Sequence, residues 1–72
     1  MQSYLLINTM APWKRDVKKE LSRFEFTVDD INDLKGSPDI LARVNVDDRT
    51  ALNNFILDEL ESMMGIKRVI VI

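Results

Sequence analysis

From Ile40 to Val46 an apolar side chain stands at every second position. Ile40, Ala42, Val44 and Val46 alternate with Leu41, Arg43 and Asn45. A period of two is the spacing of a β-strand, and this is the cleanest such signal in the chain. The segments on either side must therefore be read as neighbours of this strand. Downstream, Asp47-Asp48 offers a carboxylate to cap a helix. Leu52, Phe55, Ile56, Leu60, Met63 and Met64 then fall on one helical stripe, and Gly65 supplies the left-handed residue that ends it. Met63 and Met64 read as core and helix-end filler. Ile66 to Ile72 closes the chain as a final strand carrying Val69-Ile70-Val71-Ile72.

Upstream the pattern is less regular. Tyr4 to Ile7 is a short run of large apolar residues ending at Asn8-Thr9, and it reads as a strand buried on both faces. Pro12 suits the first turn of a helix. Trp13, Val17, Leu21 and Phe24 recur at helical spacing, with Lys14, Arg15, Lys18, Lys19 and Arg23 around them. Trp13, at the start of that helix, is expected to pack against the sheet or a neighbouring subunit. Phe26 to Leu34 alternates badly because Asp29, Asp30 and Asp33 interrupt it. The spacing alone also admits a helix. The β-branched residues and the closing Gly36 favour an irregular strand, bulged and exposed on one side.

The order is thus β-α-β-β-α-β, which predicts an α+β, ferredoxin-like fold: a four-stranded antiparallel sheet with both helices on one face. The first and last strands are apolar at adjacent positions, so each presents apolar side chains to both faces. The uncovered face would then be an apolar patch of the kind that marks an interface. Pairing of two sheets, in the manner of a dimeric α/β-barrel, is the expected solution, and higher oligomers are open.

Size and composition narrow the function. Seventy-two residues make a single domain, 1–72, with neither cysteine nor histidine. Disulfides and Cys/His metal sites are excluded, and no cofactor is called for. A domain this small is marginal alone, which again points to oligomerisation. The formal net charge is −2, without the basic surplus that direct nucleic-acid binding requires. No apolar run approaches the roughly 20 residues that span a bilayer, and Met1-Gln2-Ser3-Tyr4 lacks a basic secretory start. A soluble cytoplasmic protein is expected. Residues 13–23 hold five basic and two acidic side chains, whereas residues 25–39 hold five acids and one lysine. Two solvated faces account for this, since lone surface pairs contribute little; complementary patches between subunits are the sharper alternative.

One loop concentrates the polar chemistry. In Gly36-Ser37-Pro38-Asp39 a glycine turn delivers an aspartate to the first residue of the regular strand. Asp39 could pair with the α-amino group of an amino acid, while Gly36 and Ser37 offer N–H groups and a hydroxyl to its α-carboxylate. An ordinary turn, with Asp39 capping its own backbone, explains the same residues. Ser37-Pro38 can start the strand, because proline donates nothing to a ladder, and the pair would still shape a pocket wall. Asn8 and Thr9 could contribute polar contacts, though a strand end capped by its own side chains accounts for them.

The chain resembles the RAM domain, the effector-binding half of Lrp/AsnC transcriptional regulators. The resemblance spans nearly the whole length. It rests on Tyr4-Leu5-Leu6-Ile7-Asn8, Gly36-x-x-Asp39-Ile40-Leu41-Ala42-Arg43-Val44, Val46-x-Asp48, Leu52-x-x-Phe55-Ile56 and Met64-Gly65-Ile66-Lys67-Arg68. It implies an oligomeric, non-enzymatic module that binds an amino acid effector through Gly36, Ser37, Pro38 and Asp39, where dimers meet. Full-length Lrp/AsnC-type regulators are the implied partners. Pro38 departs from the aromatic residue the family usually places before the aspartate. Family regulators also carry a helix-turn-helix domain that these residues do not include, so a stand-alone RAM protein is expected. Two other functions compete. One is a small dimeric α/β-barrel enzyme, disfavoured because no histidine can serve as base near neutral pH. The other is a protein-interaction subunit without a ligand.

Overall fold

A computed structural model describes all residues, 1–72. The elements follow in the predicted order: β1 (Gln2–Thr9), a 3-10 turn (Ala11–Trp13), α1 (Lys14–Leu21), β2 (Val28–Asp33), β3 (Asp39–Asn45), α2 (Arg49–Phe55) and β4 (Ile66–Val71). A π-helical segment, Ile56–Leu60, prolongs α2. The four strands form one antiparallel sheet in the order β2-β3-β1-β4, the ferredoxin-like α+β arrangement.

The alternation read from the sequence sets the faces. In β3, Ile40, Ala42 and Val44 are buried; in β1, Ser3, Leu5, Ile7 and Thr9 are. Against them pack Val17 and Leu21 of α1, Leu52 of α2, and Ile56 and Leu60 of its π-helical extension. Their spacing of four keeps each pair on one side of its helix. Asp48 caps α2, its Oδ1 accepting from the Ala51 N–H at 2.8 Å. Pro12 lies in the 3-10 turn that leads into α1.

Several local expectations are corrected. The first helix stops at Leu21 rather than reaching Phe24. Phe24 instead meets Phe55 edge-on in the turn beyond, with ring centroids 5.3 Å apart. Phe26 is 91% exposed and precedes β2, which spans only Val28–Asp33. The predicted irregularity of β2 is present: its register on β3 shifts between Val28 and Asp30. Helical structure in the second stripe ends at Leu60, five residues before Gly65, whose φ is +96°. Met63 packs against the core, but Met64 is 70% exposed and fills nothing. β1 is not buried on both faces within one chain, since Tyr4 on its outer side is 45% exposed.

The register shows what lies on the open face. One row runs Asn32, Leu41, Leu6, Ile70 across the four strands. A second runs Asp30, Arg43, Tyr4 and on toward Ile72, whose N–H donates to the Tyr4 carbonyl. A third joins Asp39, Asn8 and Arg68. The apolar patch expected of strands one and four exists: Leu41, Leu6 and Ile70 form its middle and Tyr4 and Ile72 extend it, while charges lie at its ends on Asp30, Arg43, Asp39 and Arg68.

Candidate functional site

The loop before β3 is shaped by its own hydrogen bonds. The Ser37 N–H donates to the Leu34 carbonyl at 3.1 Å, closing a four-residue turn. Gly36 holds φ +81° as the third residue of that turn, where a type II turn needs the left-handed region. The Ser37 hydroxyl accepts from the Asp39 N–H at 3.1 Å. Gly36 and Ser37 thus form the turn itself. The Ser37 N–H assigned to a ligand carboxylate is already engaged within the chain.

Lys14 secures this loop from outside. Its ammonium donates to the Leu34 carbonyl at 3.1 Å, to the Ser37 carbonyl, and to the Asp33 carboxylate. These three acceptors match the three protons an ammonium carries. Lys18 adds a second ion pair to Asp33 at 3.0 Å. Hydrogen bonds from Lys14 and then Lys18 hold the Asp33 carboxyl below its ordinary value of 3.8. The basic helix and the acidic hairpin therefore meet within one chain, and the two stretches are not merely solvated faces. At the far end of the sheet, Asp29 pairs with Arg43 at 3.0 Å and accepts from Asn45 at 2.7 Å. That contact to Asp29, and secondarily one to Tyr4, raises the Arg43 guanidinium above its ordinary value.

Pro38 and Asp39 reach a different place. Together with Asn8, Thr9, Lys67 and Arg68 they line an open cleft of about 390 Å³ at one end of the uncovered sheet face. Thr9, fully buried, ties the cleft floor together. Its N–H donates to the Pro38 carbonyl at 3.3 Å, and its hydroxyl donates to the same oxygen. The Asn8 amide donates to Asp39 Oδ1 at 2.6 Å, and its own oxygen accepts from Arg68 Nε at 3.3 Å. Asn8 thus spaces the carboxylate from the guanidinium. No ion pair within 4.0 Å joins Asp39, Lys67 or Arg68 to an opposite charge in the chain.

A bulge brings the two cations to this cleft. The β1–β4 register jumps from Asn8 opposite Arg68 to Thr9 opposite Ile66, leaving Lys67 as the extra residue. Without it, Arg68 would share the inward face of Ile66; with it, Lys67 and Arg68 both line the cleft. Sequence reasoning placed Lys67-Arg68 in a motif but not in the site, and favoured a plain strand end for Asn8 and Thr9. The adjacency of two cations to the Gly65 stop was the available signal. A larger groove of about 480 Å³ lies on the helical side, lined by Trp13, Asp16, Lys19, Glu20, Met63 and Met64. Its three charged residues all come from α1 at helical spacing, as on any solvated helix face. The smaller cleft gathers charges of both signs from the ends of β3 and β4 around the neutral end of β1.

The chain is thus a four-stranded α+β domain with a charged cleft at one end of an open sheet. The family model for the Lrp/AsnC ligand binding domain matches residues 3–71, and the chain belongs to that family. It is therefore an effector-binding module of a regulatory family. Solved structures agree in fold. TTHA0845 from Thermus thermophilus superposes with a TM-score of 0.87 at 17% identity, over 99% of this chain and 88% of that one. FFRP-DM1 gives 0.87 at 22% identity, over 99% and 93%. The hypothetical protein PHS023 from Pyrococcus horikoshii gives 0.85 at 22% identity, over 99% and 84%. At such identities the likeness concerns the fold alone. No curated protein matches the chain at significant similarity. No helix is long and apolar enough to cross a membrane.

Proposed function

We propose that this chain binds an α-amino acid in the Asp39 cleft and that binding is coupled to assembly of the chain. The observation that carries this reading is the pair of unneutralised, opposite charges set in one cleft by Asn8. An amino acid presents an ammonium and a carboxylate a few ångströms apart. Asp39 takes the ammonium through the oxygen not engaged by Asn8. The carboxylate role expected of the Gly36 and Ser37 N–H groups passes to the Lys67–Arg68 pair. Charge-assisted contacts of this kind are the stronger class of hydrogen bond.

The cleft opens at the rim of the face bearing Leu6, Leu41 and Ile70. A second copy packed on that apolar band would wall it, so that ligand and assembly share one surface. A ligand shifts assembly only by its differential affinity for the assembled and free states. Full-length Lrp/AsnC-type regulators offering the same sheet face are the natural partners beyond the homodimer.

Mass in solution by light scattering, measured with and without a panel of amino acids, tests both halves, with titration calorimetry alongside. The expected outcome is a dimer or larger particle whose size distribution moves with one or a few amino acids. A monomer at working concentrations, or no heat from any amino acid at millimolar levels, would refute it. A second reading, an interaction subunit without a ligand, draws on the bonds that already occupy Asp39: Asn8 on Oδ1 and Ser37 on its N–H. Titration of the unaltered chain separates the two, since the second has no amino acid response, and Asp39→Ala should abolish the response of the first.

A further inference from the structure

The cleft is not electrically balanced. Its charged lining residues are one carboxylate, Asp39, and two cations, Lys67 and Arg68. A zwitterion with a neutral side chain uses Asp39 and one cation. The second cation is then left facing a ligand that offers it nothing. It also has no carboxylate of its own chain within 4.0 Å. The bulge in β4 is what turns both cations toward the cleft, since regular pairing would send one of them inward.

We infer that the cleft selects amino acids carrying a second carboxylate, aspartate or glutamate, over neutral and apolar ones. This rests on the amino acid reading above and adds the class of side chain. The α-ammonium sits on Asp39, and the two carboxylates divide between Lys67 and Arg68. Asn8, holding Arg68 Nε, leaves the terminal nitrogens of the guanidinium for a planar carboxylate.

Titration calorimetry on the full chain, with glutamate, glutamine, leucine and succinate at low and high salt, tests the assignment. Glutamate is expected to bind about ten-fold more tightly than its amide isostere, the gap one charge-assisted contact supplies, and that gap should narrow as salt rises. Lys67→Gln or Arg68→Gln should erase the preference, bringing the affinity for glutamate down to that for glutamine. Both positions are exposed, so neither change threatens the fold. Equal affinity for glutamate and glutamine, or tighter binding of leucine, overturns this inference and leaves the amino acid reading intact. Succinate binding as well as glutamate also overturns it, because the ammonium would then go unrecognised. Silence toward every amino acid removes the amino acid reading itself.

Discussion

Gly36 and Gly65 both hold positive φ, yet a methyl group added to each would meet very different surroundings. At Gly36 an added Cβ finds nothing within 4 Å; at Gly65 it would lie 2.5 Å from Trp13 Cβ and 2.9 Å from its Cγ. Gly36→Ala therefore carries only the left-handed backbone term, about 1–2 kcal/mol. Gly65→Ala adds a collision with a ring anchored at the head of α1, for about 2–5 kcal/mol in all. Urea denaturation of the two variants should rank them in that order, and equal losses would contradict the close approach. The same residue also explains Trp13. The indole lies over Gly65, in the turn before β4, because only a residue without a Cβ admits it there. Sequence reading identified Gly65 as left-handed and Gly36 as a turn residue, since helix-end and turn positions announce themselves. The contact that makes one of them irreplaceable joins residues 52 positions apart and leaves no local trace.

At the scale of elements, the clearest coupling is between α1 and the β2–β3 hairpin. Asp33 lies on the helical side of the sheet because its register partner, Ile40, does. At the outermost strand that side looks onto Lys14 and Lys18. A carboxylate whose folded value is depressed stabilises the fold above its unfolded value and loses that contribution as pH falls through the folded one. Asp33 should thus add to acid sensitivity below 3.8. Asp33→Asn should show a flatter loss of stability over that acid range than the unaltered protein, followed by circular dichroism. A parallel pair of curves would mean the ion pairs contribute nothing. Lys14, only 17% exposed, also tethers the carbonyls of Leu34 and Ser37, so the loop that ends at Asp39 is held by a helix residue. In sequence, Lys14 looked like one of five cations on a solvated surface. Its role depends on the hairpin folding back over α1, a placement that periodicity does not encode.

For the whole molecule, the open sheet face is the surface on which the proposed assembly rests. Leu6 sits at the centre of that face, flanked in register by Leu41 and Ile70. Under the proposed assembly, Leu6→Asp would bury an uncompensated charge at the interface while leaving the inward core untouched. The expected result is a dissociation constant raised at least about ten-fold with far-UV circular dichroism preserved. Sedimentation velocity reads the first and a spectrum the second. Undisturbed assembly would move the interface elsewhere. The polar ends of the face are as informative as its middle. The Asp29–Arg43–Asn45 cluster at one end is internally satisfied, whereas the Asp39–Asn8–Arg68 row at the other keeps its charges unpaired.

The order of elements, the buried side of β3, a helix cap at Asp47 or Asp48 and the stripe of Leu52, Ile56 and Leu60 were all legible in the residues, because hydrophobic period and capping chemistry act over a few positions. β4 was legible as a strand but not in its facing: Val69-Ile70-Val71-Ile72 is apolar at every position, so no alternation says which side is in. Pairing with β1 made that choice, and the bulge it contains turned Lys67 and Arg68 together toward Asp39. A cleft built from three strand ends needs the sheet closed before it exists. Its charges are distant in sequence, and only the long-range register brings them within reach of one ligand.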